Sequence, residues 1–184
     1  AEQLDFASWD NYPVFSGDAG PAQAALCHDW IRGLKGRAFW VMEQQAGPSG
    51  WQIMSRAPKP GELALWAYQA IAHGADGMVF FRWRTCRFNT EEYWHGILDH
   101  DGQPRRRYHE IAAMGEQVAR VGQQIEGAMP PKQVAVLMSY PSSWALRLQP
   151  GAAGLSHWAQ MKAAYTAFHR LGVSIDVVSP EADL

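Results

Sequence analysis

A glutamate closes the run Phe39-Trp-Val-Met-Glu43, where four apolar residues lead into a carboxylate before the chain breaks at Gly47-Pro48-Ser49-Gly50. A carboxylate at the C-terminal end of a buried strand is where an α/β barrel keeps its reactive groups. Such a group can act as a nucleophile, or it can merely close a salt bridge at a strand end. Glu92 and His95 stand three apart in Glu92-Tyr-Trp-His95, so a helical turn would bring both to one side. By themselves they read as two metal ligands or as a solvated turn. Asp10 and Tyr12 fall at the end of the first apolar run and face the same mouth by position; they either touch a ligand or anchor a loop. Trp51 follows the Gly-Pro-Ser-Gly break with little apolar sequence around it, which suits a cleft better than a core. Arg82 and Arg84 flank Trp83, at a buried strand end where an unpaired charge is costly. They read as bidentate partners of site carboxylates or as a structural ion pair.

The wider composition fits a ligand cleft on a globular scaffold. Nine Trp, six Tyr and seven Phe gather around strand ends in the first hundred residues rather than along helix faces. Aromatic rings beside polar groups suit a pyranose, which offers C–H faces for stacking and hydroxyls for hydrogen bonds; a Trp-rich core would give the same count. With 184 residues, 47% hydrophobic, 18% charged and a net charge of −2, the chain is neither a disordered segment nor a basic nucleic-acid-binding tail. Cys27 and Cys86 form no CxxC pair, so neither a disulfide framework nor a zinc site is signalled. A reducing, cytoplasmic setting fits that usage. No apolar run reaches the roughly 20 residues of a membrane span, and Ala1-Glu2-Gln3 opens no basic-then-apolar leader.

These groups need a scaffold, and the pattern supplies one: short apolar runs alternating with helical stretches, the signature of βα units on a parallel sheet. Strands are expected at Leu4 to Ser8, Arg37 to Met42, Gly77 to Trp83, Gln133 to Ser139 and Ser174 to Val178. Between the second and third, Glu62 to His73 reads as a helix, with Pro60 near its start and Gly74 just past its end. A second helix is expected from Pro104 to Glu126, since Ile111, Met114, Val118, Val121 and Ile125 recur every three or four residues. Gly127-Ala-Met-Pro-Pro-Lys132 then punctuates the chain as a domain boundary does, dividing it into 1–128 and 131–184. Beyond it come a strand, a loop, a helix over Ser156 to Leu171 and a final strand. An eight-stranded barrel takes about 250 residues, so three strands before residue 100 cannot close one. The chain therefore reads as a piece of a longer protein, cut at both ends.

At Glu43 the sequence also resembles a known family. Ser8-Trp-Asp-Asn-Tyr-Pro13, Phe39-Trp-Val-Met-Glu-Gln44 with Gly50-Trp51, Gly74-Ala-Asp-Gly-Met-Val-Phe-Phe-Arg-Trp-Arg84 and Thr90-Glu-Glu-Tyr-Trp-His-Gly96 are similar to blocks of the family 42 glycoside hydrolases, the microbial β-galactosidases, in the family's order. The resemblance implies an α/β fold: the C-terminal part of a TIM (β/α)8 barrel, followed by the first βαβ unit of a flavodoxin-like or amidotransferase-like trimerisation domain. It implies retaining hydrolysis of terminal β-galactosides with Glu43 as nucleophile, Trp51 lining the sugar subsite, and Glu92 and His95 holding galactose hydroxyls. No cofactor or metal is implied; the expected partners are the galactoside and two further copies in a homotrimer, with no nucleic acid and no membrane. The family's acid/base glutamate follows an asparagine, but Asn11 and Asn89 precede Tyr12 and Thr90, so that residue is missing from this segment.

The remaining polar clusters read as scaffold. Asp99-His100-Asp101-Gly102 reads as a turn rather than a metal cluster, because Asp-Gly is a turn signal. Arg105-Arg-Arg107 opens a helix as a solvated or interface face. His28, His73, His109, His157 and His169 have no partners at a catalytic spacing and are taken as structural.

Overall fold

The computed structural model describes residues 3–15 and 20–182; Ala1 and Glu2, part of the start considered above, lie outside them. The elements are β1 (Ser8–Asn11), α1 (Pro21–Gly33), β2 (Phe39–Gln45), α2 (Glu62–Ala72), β3 (Ala75–Phe81), α3 (Arg106–Ile125), β4 (Val134–Leu137), α4 (Tyr140–Leu148), α5 (His157–Arg170) and β5 (Ile175–Val178). β1, β2 and β3 form one parallel sheet in chain order, each strand followed by a helix, and β4 pairs in parallel with β5 in a second sheet. This is a partial α/β architecture. Among the described residues no helix is long and apolar enough to cross a membrane.

The first sheet buries one face against its helices. Phe39 and Val41 are fully buried with Ala70 of α2 and Ala75, and Ile31 of α1 packs beside them. Trp40 and Met42 alternate to the other face, where they are 38% and 40% exposed. α2 runs as expected, and just past its C-cap His73 stands Gly74, whose φ of +93° suits glycine. Its N-cap Gly61 has no side chain to offer, and the orphan amide of Leu63 donates instead to Glu110 Oε1 of α3 at 3.1 Å. The stripe on α3 is only half used. Ile111 packs on the Val14, Leu63 and Trp66 cluster, whereas Met114, Val118 and Ile125 line an open groove of about 530 Å³ against β3.

Several expectations shift. The first strand is Ser8–Asn11 rather than Leu4 to Ser8; Leu4 and Phe6 are exposed, and the paired segment is polar, held by hydrogen bonds such as Asn11 Nδ2 to Gln44 Oε1 at 2.9 Å. β2 runs on through Glu43 to Gln45 because Gln44 and Gln45 are fully buried with bonded amides, so apolarity does not mark its end. β3 starts two residues early and stops at Phe81, leaving Trp83 62% exposed. The stretch after β4 is not all loop: α4 forms from Tyr140, with the Ser139 hydroxyl accepting the Ser142 amide and Pro141 tolerated in the first turn.

Helix α1 had no clear sequence signal, because charged and polar residues occupy its buried positions: His28, Asp29 and Arg32 are each at most 2% exposed. It lies between the two sheets. Ala25 and Leu26 join Val136, Met138, Met161, Tyr165, Ile175 and Val177 in the main core cluster. Arg32 donates to Asp176 of β5 (Nε, 3.0 Å), to the Ile175 carbonyl (2.7 Å), to the His73 carbonyl (2.7 Å) and to Asp29. Asp29 in turn accepts from Tyr165 and lies 2.7 Å from His73 Nδ1, and Lys132 pairs with Asp176 at 2.9 Å. A Cβ on Gly33 would stand 1.8 Å from the Val177 carbonyl, so only glycine lets α1 approach the edge of β5. α1 thereby covers an edge that would otherwise offer unpaired backbone groups. His28 stays neutral in this core: burial pushes it down to about 3, and its Nδ1 accepts from Trp9 Nε1 at 3.1 Å.

Candidate active site

Strict strand alternation would bury Glu43 with Phe39 and Val41. The register breaks instead, between Val41 and Gln44 on β2 and between Trp9 and Asp10 on β1. Such irregularities re-aim side chains beside functional sites. Glu43 emerges half-buried, and Tyr12, just past β1, donates its hydroxyl to Glu43 Oε2 at 2.7 Å. Burial, then the bond to Glu43, raises the Tyr12 phenol far above its usual range, so it remains a proton donor. Asp10 pairs across the strands with Glu43, and burial followed by the charge of Glu43 raises its carboxyl above the ordinary value. Glu43, Asp10 and Tyr12 thus share one end of the sheet.

An aromatic cluster adjoins them. Trp94 is 8% exposed; its ring meets Tyr12 at 4.9 Å and 90°, Phe15 at 5.2 Å and Trp51 at 5.1 Å. Trp51 itself is 55% exposed, a ring anchored by Trp94 and open to a ligand. Trp94 Nε1 is a buried donor with no partner among the described residues. Trp94 and Phe15 belong to the site although no role was read for them; their signal was only position, one inside the Glu92-to-His95 spacing and one three residues after Tyr12.

His95 reaches the same neighbourhood through backbone packing. Its amide donates to the Pro48 carbonyl at 3.0 Å, and a Cβ on Gly47 would come within 2.7 Å of His95 Cβ. Gly47 is therefore required for the loop after Glu43 to touch the turn that carries His95. Burial, then repulsion from His100 and Arg107, lowers the His95 imidazole below its ordinary value despite Asp99, which keeps it neutral near pH 7. Glu92 sits in a succession of turns rather than a helix, with its carbonyl accepting from His100 Nε2 at 3.1 Å. No hydrogen bond joins the Glu92 carboxylate to Glu43 among the described residues.

Arg82 comes within 3.2 Å of Glu91, out of line for a hydrogen bond, and among the described residues no ion pair joins it to Glu43. Asp99 to Gly102 is a turn closed by the Gly102 amide on the Asp99 carbonyl at 2.9 Å, and its aspartates are taken up by Arg105 and Arg107. Arg106 binds Glu110 and the Pro58 carbonyl. Arg105 and Arg106 are exposed, as expected of a solvated face, while Arg107 is more buried, and all three are also tied to neighbouring acceptors. Chemically, the arrangement places a carboxylate held by a phenol near a neutral imidazole and the exposed indole of Trp51: groups of the kind that can attack a carbon centre and stack on a sugar ring.

Comparison with known proteins gives this geometry its context. Residues 1–121 match a family model described as β-galactosidase, and residues 132–184 one described as β-galactosidase trimerisation domain. The chain is 39% identical over its whole length to β-galactosidase BgaH of Haloferax lucentense, and 39% identical over 97% of its length to BgaA of Clostridium cellulovorans. It spans 29% and 28% of those two relatives. Among solved structures, the β-galactosidase of Bacillus circulans sp. alkalophilus superposes with a TM-score of 0.93 at 34% identity, covering all of this chain and 27% of that one. The enzyme of the Antarctic haloarchaeon Halorubrum lacusprofundi gives 0.88 at 39% identity.

Proposed function

From the premise that this chain belongs to the family 42 β-galactosidases, we propose that it is a segment of a retaining β-galactosidase in which Glu43 is the nucleophile. The observation that carries the reading is the hydrogen bond from Tyr12 to Glu43, which fixes one carboxylate oxygen beside an open indole surface. Residues 1–128 supply the C-terminal portion of a (β/α)8 barrel, whose other strands pair with the free edges of β1 and β3. Residues 131–184 begin a trimerisation domain of flavodoxin-like or amidotransferase-like type.

In this reading Glu43 attacks the anomeric carbon as an acid carboxyl about 5 Å away protonates the departing oxygen. The same second group then draws a proton from water, which releases galactose and restores Glu43. That group follows an asparagine upstream of this segment. Trp51 stacks on the sugar, Glu92 and His95 hold its hydroxyls, and Asp10 and Tyr12 set the electrostatics around Glu43. The substrate is a terminal non-reducing β-D-galactoside, no cofactor is needed, and the full-length protein is a homotrimer.

The 184-residue chain contains no Asn-Glu pair to serve as the acid/base and is expected to bind sugar without turnover. The test uses the full-length enzyme carrying Glu43→Ala. Turnover of an aryl β-galactoside should fall by at least about a thousandfold. Added azide should restore aryl release and yield an α-galactosyl azide. Normal turnover in the variant would sink the assignment.

A further inference from the structure

The groups of the site stand on three successive strand ends: Tyr12 just past β1, Trp51 after β2, and Glu92 to His95 in the turns after β3. Ladder hydrogen bonds register the strands but not the loops beyond them. Backbone ties the second loop to the third, since the His95 amide bonds the Pro48 carbonyl. Among the described residues no backbone bond ties the Tyr12 segment to the turns after β3. One side chain bridges all of them. Tyr93 faces out, 50% exposed, while Trp94 faces in, 8% exposed, with its amide on the Glu91 carbonyl at 3.0 Å. The Trp94 ring meets Tyr12 edge-on at 4.9 Å and Trp51 at 5.1 Å, with Phe15 at 5.2 Å beside them. These partners lie inside the segment itself, so the burial of Trp94 does not depend on what surrounds it.

Both partners need that support. The Tyr12 side chain must hold one rotamer for its hydroxyl to stay 2.7 Å from Glu43 Oε2, and a perpendicular ring against its edge disfavours the others. Trp51 is more than half exposed, and among the described residues Trp94 is the one aromatic ring against it.

We propose that Trp94 is a positioning residue acting on two steps at once: it holds the Tyr12 hydroxyl on Glu43, and it holds the Trp51 indole as the face on which galactose stacks. The inference rests on the roles given above to Glu43, Tyr12 and Trp51 and adds the group that orients the latter two. An aromatic pair shifts an orientation equilibrium by about two- to tenfold, and Trp94 makes such a pair with each.

The experiment compares Trp94→Leu, Tyr12→Phe, Trp51→Ala and the two double variants containing Trp94→Leu, all in the full-length enzyme. One readout is the reactivation rate of enzyme labelled with 2-deoxy-2-fluoro-β-galactosyl fluoride, which reports hydrolysis of the intermediate. The other is the inhibition constant of galactose. Trp94→Leu should slow reactivation and weaken galactose, each by about two- to tenfold. Neither loss should multiply: with Tyr12→Phe the double variant reactivates as Tyr12→Phe alone, and with Trp51→Ala it binds galactose as Trp51→Ala alone. Multiplied losses in either pair, or parent-like values in Trp94→Leu, overturn the proposal and leave Trp94 as packing. A second variant, Trp94→Phe, covers the case in which Trp94→Leu fails to fold. A single six-membered ring is too small to span Tyr12 and Trp51 together, so at least one readout should shift several-fold; parent-like values in both contradict the proposal. Failure of the underlying reading shows differently: a label on a carboxylate other than Glu43 removes the nucleophile assignment, and the proposal with it, whatever the Trp94 variants do.

Discussion

Replacing Tyr12 with phenylalanine in the full-length enzyme removes one hydrogen bond and little else, since the ring keeps its edge contact with Trp94. A bond to a charged group contributes about 1.5–3 kcal/mol, and at a half-buried site the lower figure applies. The bond is made to a carboxylate, which in the proposed mechanism loses its charge when it becomes a glycosyl ester and regains it when the ester is hydrolysed. Tyr12 therefore assists the second step by stabilising the departing carboxylate. At about 1.4 kcal/mol per tenfold, hydrolysis of the intermediate slows roughly tenfold. The first step is less affected, because the intrinsic nucleophilicity gained by an unbonded carboxylate offsets poorer positioning. With an aryl galactoside, kcat should fall about tenfold, KM should fall with it, and stopped-flow traces should show a burst of phenol equal to the enzyme concentration. Equal losses in kcat and kcat/KM with no burst would mean that Tyr12 acts before the covalent step. An unchanged kcat would remove it from the mechanism.

Other outcomes follow from the same structure. Trp51→Ala should leave thermal stability nearly unchanged, because the ring is 55% exposed, while raising KM for galactosides by about tenfold; a large fall in melting temperature would make Trp51 a core residue. Arg32→Leu leaves two buried aspartates short of a partner and should weaken the join between α1 and β5 by about 3 kcal/mol, so that amide exchange across Ile175–Val178 speeds by roughly a hundredfold. Burial alone would raise the Asp176 carboxyl, but hydrogen bonds from Arg32 and Lys132 hold it below the ordinary carboxylate value. Its stabilisation is thus present above the unfolded value of about 4 and lost as the pH falls through the folded one. Exchange protection of β5, corrected for intrinsic rates, should drop on acidification and do so less in Asp176→Asn.

The alternation of strands and helices was legible because most elements carry an apolar stripe in their sequence: α2, α3, β4 and β5 lie within one or two residues of their expected limits. The failures share a physical cause. α1 buries His28, Asp29 and Arg32, and β2 ends in two buried glutamines, so polar residues satisfied by partners far along the chain break the hydrophobic period. α4 breaks it in the opposite sense, with its apolar residues facing outward. For the site, residue types and order brought attention to Glu43, Asp10, Tyr12, Trp51 and His95, which the fold gathers at one end of the first sheet. The register breaks that re-aim Glu43 and the central place of Trp94 depend on pairing between strands about 30 residues apart, which no local pattern encodes.

The most direct test of the account is to trap the intermediate. Full-length enzyme treated with 2-deoxy-2-fluoro-β-galactosyl fluoride should lose activity with one fluorogalactosyl group bound per active site. Peptide mapping should place that group on Glu43. An adduct on any other carboxylate, or turnover of the reagent with inversion and no adduct, would contradict it.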